Sequence, residues 1–258
     1  MTDISTLALP GESRAEVAPR DLPGAPDLAD PALRRSKRLT LLLGLLGRRL
    51  SGRWVWRLAR RWEGGDATSY TLRKVLWERT GVSVGAHSYG SLLFPVDHPR
   101  TGLRIGRYVS LAQTAFWSFN HPTDRISTSP AFYEGGTYGH VGNLPAPPPR
   151  LDVGHDAWVG DYVVITPGCR RIGIGAVIGA GAVVTRDVPD FAIAVGAPAR
   201  VIRYRFSEPV RERLLQSRWW ELSPEELRPW RDAMTKPASD AEALRALEAI
   251  AARIRTAA

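Results

Sequence analysis

Aliphatic residues recur every six positions in the second half of the chain, most regularly from Val153 to Pro189. Each unit pairs an aliphatic residue with a following glycine or threonine: Val153-Gly154, Val159-Gly160, Ile165-Thr166, Ile172-Gly173, Ile178-Gly179 and Val184-Thr185. A six-residue repeat of this kind predicts a parallel β-helix, whose coils stack to bury a continuous aliphatic column. We therefore predict a mainly β fold.

The spacing of the repeat contains one irregularity. Ile172 follows Val153 by 19 residues, although three six-residue units account for only 18. One extra residue therefore lies near Pro167–Arg171, where we predict a bulge or a widened corner. The repeat also occurs earlier, at Val84-Gly85 and Ile105-Gly106, and a loop is expected between them at 92–102.

The period is lost over residues 116–150, which contain six prolines and several aromatic residues. Long irregular loops inside a compact repeat are usually functional. A rigid scaffold commonly carries its chemistry on such a loop. We therefore expect the catalytic groups in this excursion.

The segments that flank the repeats differ from them in composition. Residues 1–35 are rich in proline and have no sustained apolar period, which predicts a disordered or extended segment. Residues 36–80 predict a basic helical extension, 81–206 the β-helix domain and 207–258 a helical C-terminal segment. We expect the C-terminal segment to cover the open end of the solenoid or to reach a neighbouring subunit.

Tryptophan and arginine alternate in the stretch 39–62, where Trp54, Trp56 and Trp62 lie among arginines. One interpretation is a helix packed on the solenoid or on a neighbouring subunit, with a solvated basic face. The other is contact with a membrane surface. The longest apolar run, 39–46, is too short to span a bilayer.

The formal net charge of +9 points to a polyanionic partner: nucleic acid, anionic lipid or a phosphate-rich cofactor. No nucleic-acid-binding motif is found in the sequence, so we predict no nucleic-acid partner. Cys169 is the only cysteine, which excludes an intramolecular disulfide and is compatible with a reducing compartment. The N-terminus is acidic and proline-rich, unlike a secretory signal, and we expect a cytoplasmic protein.

Several motifs occur in a fixed order between Val84 and Trp220: N-H-P-T-D-R at Asn120–Arg125, D-A-W-V-G at Asp156–Gly160, I-G-A-G-A-V-V-T-R-D-V-P at Ile178–Pro189, G-A-P-A-R at Gly196–Arg200, and Trp219-Trp220. Together with the six-residue units, they resemble the hexapeptide-repeat acyltransferases. The resemblance is to their xenobiotic acetyltransferase branch, which includes chloramphenicol and streptogramin acetyltransferases and related polysaccharide O-acetyltransferases. It implies a left-handed β-helix and a homotrimer with active sites between subunits. It also implies acetyl-CoA as co-substrate and no metal.

By this resemblance His121 matches the catalytic histidine of the family. Its role would be that of a general base, which suits an imidazole because its ordinary pKa of about 6.5 lies close to working pH. Asn120 and Asp124 would contact the acceptor or hold the loop. Cys169 has no neighbouring histidine in the sequence, and we interpret it as a small structural residue at a corner of a coil.

The resemblance also implies a groove for the pantetheine arm and phosphates of the donor. The matching positions here are Trp158, Asp161, Ala180, Thr185, Arg186, Arg200 and Arg203. Arginine offers planar, multi-donor contact to phosphate. The alternative for the three arginines is a solvated solenoid face, and for Trp158 it is packing against a neighbouring chain.

The expected function is therefore transfer of an acetyl group from acetyl-CoA to a hydroxyl of a small molecule or saccharide. Alternatives are an antibiotic-inactivating O-acetyltransferase, an aminosugar N-acetyltransferase, and a non-catalytic scaffold bound to a membrane. A carbonic anhydrase on the same fold would need three histidine ligands, and the coils carry no close histidine pair. If 39–62 contacts a membrane, the protein would be peripheral at the inner face.

Overall fold

A computed structural model of the protein describes residues 22, 25–26, 28–93, 102–118, 126–129 and 150–257. Short strands in this part of the chain stack into three flat faces. The first face contains β1 (Ser83–Val84), β2 (Leu103–Ile105), β5 (Leu151–Val153) and β8 (Arg171–Ile172). The second contains β3 (Ser110–Leu111), β6 (Trp158–Val159), β9 (Val177–Ile178), β11 (Ala192–Val195) and β12 (Arg200–Tyr204). The third contains β4 (Phe116–Trp117), β7 (Val164–Ile165) and β10 (Val183–Val184).

Successive strands visit the three faces in turn, so β2, β3 and β4 form one coil and β5, β6 and β7 form the next. Strands of adjacent coils pair in parallel on every face. At the end of the second face, β12 turns back and pairs antiparallel with β11. The predicted parallel solenoid of six-residue units is confirmed. Its left-handed winding stays a prediction from the resemblance.

The aliphatic residue of each unit points into the interior. On the first face Val84, Ile105, Val153 and Ile172 pair in register, and all four are buried. Adjacent strands lie about 4.8 Å apart, so these side chains contact one another directly along the column. Each buried aliphatic side chain contributes roughly 1.5–3 kcal/mol, and the column therefore stabilises the stack of coils.

The glycine that follows the aliphatic residue on the first face is required by the next coil. A Cβ atom on Gly106 would lie 2.6 Å from the His155 nitrogen, and one on Gly154 would lie 2.5 Å from the Ile174 nitrogen. Contacts this short with backbone atoms cannot be relieved by a side-chain rotation. Close stacking of the coils thus explains the aliphatic–glycine pattern of the sequence.

The extra residue predicted near Pro167–Arg171 lies in the corner between β7 and β8. Ile165 pairs with Val184, so the third face shows the same 19-residue offset between adjacent coils. The corner closes through a hydrogen bond from the Cys169 N–H to the Thr166 carbonyl (3.0 Å). Cys169 is fully buried in the solenoid core, and burial raises the pKa of its thiol to about 12. The widened corner therefore places a protonated thiol inside the core, as a structural residue.

The corner between the first and second faces, here the first corner, turns through left-handed residues. His87, Tyr108, Asp156, Gly175 and Phe191 occupy equivalent positions, three residues after the inward-facing residue of the first face, and all have φ between 57° and 64°. A non-glycine residue in this conformation costs about 1–2 kcal/mol. The rings of His87 and Tyr108 stack with their centroids 4.5 Å apart, which offsets part of that cost.

The C-terminal helices α4 (Glu208–Ser217), α5 (Arg231–Met234) and α6 (Ala241–Ala257) pack along the first corner. Their contact with the solenoid is an apolar cluster that contains Ile174, Phe191, Leu214, Trp220 and Leu247. They therefore lie along a side of the solenoid, and β12 extends the second face as its last strand. This position on the first corner differs from the predicted cover over the open end, and contact with a neighbouring subunit stays a prediction.

The opposite end of the solenoid is covered by α1 (Lys37–Leu46), α2 (Gly52–Trp62) and α3 (Tyr70–Thr80). Leu39, Val55, Ala59 and Leu72 are fully buried in the same core cluster as the inward aliphatic residues of the coils. The interpretation of 39–62 as a helical segment packed on the solenoid is therefore confirmed for the buried sides of α1 and α2. Among the described residues no helix has the length and apolar character needed to cross a bilayer.

Arg73 joins α3 to the first coil. It is fully buried, and its guanidinium donates to the carbonyls of Ser69 (2.9 Å), Gly85 (2.9 Å) and Ser88 (3.3 Å), and also to those of Asp66 and Ala67. Burial lowers the pKa of this group to about 10. Because the partners come from two segments, one side chain holds the helical cap on the solenoid.

Part of the N-terminal stretch that was expected to be disordered is packed against the protein. Within 28–35, Asp30 is buried and forms an ion pair with Arg107, and its carboxylate also accepts from the Ala32 N–H (2.8 Å). The Arg34 N–H donates to the Thr68 carbonyl (2.8 Å). The expectation of disorder is wrong for these residues, because ion pairing and backbone hydrogen bonds replace the apolar burial that the composition lacks.

Candidate functional site

The excursion that was expected to carry the chemistry lies in the sequence between β4, which ends at Trp117, and β5, which begins at Leu151. His121, Asn120 and Asp124 lie outside the described residues. Their predicted roles therefore stay predictions. The two ends of the excursion lie between β4 and β5, at the corner that joins the third face to the first face, here the third corner.

Hydroxyl side chains form a column at the third corner. The N–H and Oγ of Ser118 both donate to the Ile165 carbonyl (2.9 and 3.3 Å). Thr166 repeats the arrangement on the Val184 carbonyl (3.0 and 3.1 Å). Thr185 and Arg186 come directly after β10 and so occupy the same corner, one coil further on. Thr185 and Arg186, which are predicted to bind the donor, thus lie at the same corner as Ser118, where the excursion begins.

Asp161 and Ala180 lie together at the corner between the second and third faces, here the second corner. The Gly181 N–H donates to the Asp161 carbonyl (2.8 Å), which places the two predicted residues on adjacent coils. The Asp161 carboxylate accepts from the Thr114 hydroxyl (2.8 Å). That hydroxyl in turn accepts from the N–H of Tyr162 (2.9 Å). Asp161 is thereby held in the corner, and its backbone and that of Ala180 border the same strip of surface.

Tyr162, which the sequence did not single out, lies beside the predicted donor residue Asp161 at the second corner. It has a φ of 57°, and its side chain is 70% exposed next to Asp161. Its position three residues after the inward-facing Val159 is equivalent to that of Gly181 in the next coil, which has a φ of 72°. The signal for a left-handed corner residue was therefore present in the repeat, but the sequence did not show that a tyrosine there would be exposed.

The outward residues of the second face form a row that ends in an arginine. Successive strands place Ser110, Trp158, Val177, Ile193 and Arg203 side by side. Trp158 is 57% exposed. Three strand spacings separate it from Arg203, which is about 14 Å. The row is thus an open apolar strip that leads from a tryptophan to a guanidinium group.

Arg200 lies on β12, opposite Val195 and close to the second corner. Its guanidinium donates to the neighbouring Ala199 carbonyl (2.9 Å), and that of Arg203 donates to the Tyr204 carbonyl (3.4 Å). In the part of the chain that the structure describes, neither group forms an ion pair with a carboxylate. Both charges are exposed and remain available to an anion.

The predicted donor residues therefore fall into two groups on one chain. Trp158, Asp161, Ala180, Arg200 and Arg203 lie along the second face and the second corner, whereas Thr185 and Arg186 lie at the third corner. The third face separates the two groups, and its outward row consists of Phe116, Val164 and Val183. This apolar row contrasts with the first face, where Arg104, Asp152 and Arg171 alternate in charge.

Two histidines lie within the described residues, and both are built into the first corner. His155 is buried, accepts at Nδ1 from the Arg107 N–H (2.9 Å), and stacks on Trp220 with ring centroids 5.2 Å apart. Burial, reinforced by the nearby Arg107 cation, lowers the pKa of His87 to about 4. These two imidazoles serve the packing of the corner. Among the described residues no cluster of three metal-ligating side chains is found.

Comparisons with known proteins identify the relatives of this chain. A protein of Agrobacterium fabrum named chloramphenicol acetyltransferase is 35% identical over 145 residues, which are 54% of this chain and 69% of the relative. A chloramphenicol acetyltransferase of Klebsiella aerogenes is 31% identical over 166 residues, which are 57% of this chain and 79% of the relative. The chain belongs to the hexapeptide-repeat acetyltransferases, in their xenobiotic branch. No protein-family model matches the sequence.

Membership of this family makes the chain an acetyl-transferring enzyme. A galactoside O-acetyltransferase of Escherichia coli strain K12 is 38% identical over 78 residues, which are 30% of this chain and 36% of the relative. Among solved structures, a maltose O-acetyltransferase from Clostridium difficile 630 is 30% identical and covers 49% of this chain and 60% of its own. Its TM-score is 0.35, which is too low to support an argument about the site.

Proposed function

We propose that this protein transfers an acetyl group from acetyl-CoA to a hydroxyl group of a small molecule or saccharide, with His121 as general base. The observation that supports the proposal most directly is the family. Relatives at 35% and 31% identity, over more than two thirds of their own length, carry the name acetyltransferase. The start of the excursion supports it further, because Ser118, three residues before His121 in the sequence, lies at the same corner as Thr185 and Arg186.

In the proposed reaction an imidazole nitrogen of His121 accepts the proton of the acceptor hydroxyl. The hydroxyl oxygen attacks the thioester carbonyl carbon, so that a C–O bond forms and the C–S bond then breaks. His121 returns the proton to the departing sulfur, which leaves as the thiol of CoA. Asn120 and Asp124, in the same loop, would orient the acceptor.

The residues of the second face and second corner would bind the donor. The apolar row of Trp158, Val177 and Ile193 runs beside Asp161 and Ala180 and would contact the pantetheine arm, and the exposed charges of Arg200 and Arg203 suit the phosphates. Thr185 and Arg186 would complete the site from the third corner.

The separation of the two groups on one chain favours a site between subunits. Apolar outward rows on the second and third faces offer surface for a neighbouring copy. We propose a homotrimer, in which the second face of one subunit and the third corner of its neighbour border the same site. Trp158 could then serve both the donor site and the subunit contact.

The remaining candidate functions differ in the molecule that accepts the acetyl group. Relatives named chloramphenicol acetyltransferase and probable macrolide acetyltransferase favour an antibiotic acceptor. The relative named galactoside O-acetyltransferase favours a saccharide. We retain saccharide or secondary-metabolite O-acetylation as the proposal and antibiotic O-acetylation as the second candidate, with aminosugar N-acetylation as a variant of the first. A cytoplasmic location fits acetyl-CoA as donor.

The test is a free-thiol release assay with acetyl-CoA and a panel of sugars, nucleotide sugars and antibiotics, followed by mass spectrometry of the product. We expect turnover with at least one hydroxyl acceptor and a loss of about 100-fold or more in kcat for His121→Ala. His140→Ala is the matched control, because it removes the same side chain from the same excursion. Equal losses in both variants, or none in His121→Ala, would contradict the proposed base.

A further inference from the structure

The excess positive charge of the protein is concentrated in α1 and α2. Residues 37–62 contain eight lysine or arginine residues and no aspartate or glutamate, in a chain whose net charge is +9. Glu63, which follows α2 directly, is fully buried and accepts from the hydroxyls of Ser69 and Thr71 (2.6 Å each), so it does not offset this charge at the surface. The remainder of the chain is close to neutral.

The arginines of α2 point away from the solenoid. Val55 and Ala59 are buried, whereas Arg53, Arg57, Arg60 and Arg61 are exposed on the opposite side of the helix. Arg57 lies over the ring of Trp54 (5.3 Å). Among the described residues no ion pair joins these four guanidinium groups to a carboxylate. A stripe of four exposed cations therefore faces solvent, and the Asp66 carboxylate lies close enough to Arg60 to offset part of the charge. Beside the stripe lies Trp54, which is 53% exposed.

The adjacent helix α1 exposes apolar side chains on its outer face. Leu39 is buried in the core, but Leu41 and Leu45, one turn apart, are 67% and 75% exposed. Leucines this exposed are not needed for the packing of α1. Exposed leucine and tryptophan beside arginine are the combination found on helices that lie at a bilayer surface.

We propose that the outer surface of α1 and α2 docks on an anionic lipid bilayer. The arginine stripe would contact the headgroups, and Leu41, Leu45 and Trp54 would enter the interfacial layer. The apolar face of α2 is already used by the solenoid, so the helix binds through its cationic side and does not insert its buried face. This proposal goes beyond acetyl transfer and does not depend on it.

The symmetry of the proposed homotrimer would strengthen this contact. In a cyclic trimer the three copies of the surface lie at the same height along the symmetry axis, so all three can meet one planar membrane. Docking would also bring the transfer site close to lipid-linked saccharides, which narrows the acceptor class if both proposals hold.

The experiment is co-sedimentation of the full-length protein with vesicles of 30% phosphatidylglycerol in phosphatidylcholine, and with vesicles of phosphatidylcholine alone. We expect binding to the anionic vesicles only, weakened by 0.5 M NaCl. Arg53→Gln/Arg61→Gln should weaken binding by about 30-fold, and Leu41→Ser/Leu45→Ser should weaken it as well. The matched control Arg245→Gln/Arg255→Gln removes two exposed arginines from α6 and should bind like the wild type.

Thermal unfolding of each variant shows whether it is folded, and light scattering gives its molar mass. Absence of wild-type binding, equal binding to both kinds of vesicle, or equal losses in the α6 control would overturn the proposal. A change of molar mass in Leu41→Ser/Leu45→Ser without vesicle binding by the wild type would instead assign the leucines to contact between copies. Acetyl transfer by the α1 and α2 variants, measured without vesicles, should equal that of the wild type. Failure of membrane docking and failure of the proposed function can therefore be told apart.

Discussion

Two glycines of this protein differ in the space that surrounds them for an added methyl group. Gly154 sits between coils, where an added Cβ would lie 2.5 Å from the Ile174 nitrogen, whereas Gly44 in α1 has open space around it. The first glycine is a requirement of coil stacking. The second is a weak point in an exposed helix.

Gly154→Ala should therefore lower the free energy of unfolding by about 2–3 kcal/mol, because a backbone contact cannot be relieved without separating the coils. Gly44→Ala makes the same chemical change and should raise it by up to about 1 kcal/mol through helix propensity. Urea denaturation followed by circular dichroism measures both values. Equal effects in the two variants would show that the close approach at Gly154 is not what constrains the repeat.

His87 gives stability a pH dependence. Burial, then the Arg107 cation, lowers its folded-state pKa to about 4 from an ordinary value of 6.5. Between these values the unfolded chain binds a proton that the folded protein does not, so stability falls as pH drops from about 6.5 towards 4. His87→Asn, which tolerates the left-handed backbone, should reduce the difference in unfolding temperature between pH 7 and pH 5. An unchanged difference would assign the acid sensitivity to other groups.

At the scale of elements, Arg73 connects the helical cap to the first coil. Its five carbonyl partners belong to the segment before and at the start of α3 and to the first coil, and the guanidinium is fully buried. A lysine keeps the charge but cannot present planar donors to both segments. The cap therefore depends on arginine at this position.

We expect Arg73→Lys to destabilise the protein by about 2–4 kcal/mol. Lys74→Arg exchanges the same two residue types at the exposed neighbouring position and should change stability by less than about 0.5 kcal/mol. Chemical denaturation measures both, and comparable losses would contradict the role given to Arg73.

Helix ends show how far local sequence signals reach. Ser223 and Glu226 form a reciprocal cap, with the Ser223 N–H donating to Glu226 (2.8 Å) and the Glu226 N–H donating to Ser223 Oγ (3.3 Å). Such a cap satisfies backbone donors whatever follows it, and here a short turn precedes α5. The motif therefore marks the start of a turn, but it does not set the length of the helix that follows.

For the whole molecule, the apolar outward rows of the second and third faces would be covered in a trimer and exposed to solvent in a monomer. Val164 lies in the middle of the third-face row between Phe116 and Val183. If a neighbouring subunit covers this row, a buried carboxylate there would have no partner. In a monomer the same carboxylate would be solvated.

Val164→Glu should therefore reduce the molar mass measured by light scattering from that of a trimer to that of a monomer, and should lower acetyl transfer. Ala249→Glu, on the exposed side of α6, adds the same charge and should leave both unchanged. A wild-type protein that is monomeric would contradict the proposed inter-subunit site, whatever the activity of the variants.

The sequence by itself determined the parts of this protein that depend on local spacing. The aliphatic–glycine units, the inward column and the extra residue at 167–171 all follow from six residues per side and from the close approach of adjacent coils. The motif set around Asn120–Arg125 and Gly196–Arg200 also led to the correct family. Cys169 could be assigned to a structural position because no histidine accompanies it.

Only the tertiary structure decided which outward residues share a surface. Trp158 and Arg203 are distant in sequence but lie in one row, whereas Ala180 and Thr185 are close in sequence but lie at different corners. The packing of Asp30–Arg34 and the position of α6 also depend on contacts with residues that are distant in sequence. The period predicts neighbours between regular coils, but it does not predict that β12 turns back onto β11 and places Arg203 in the row.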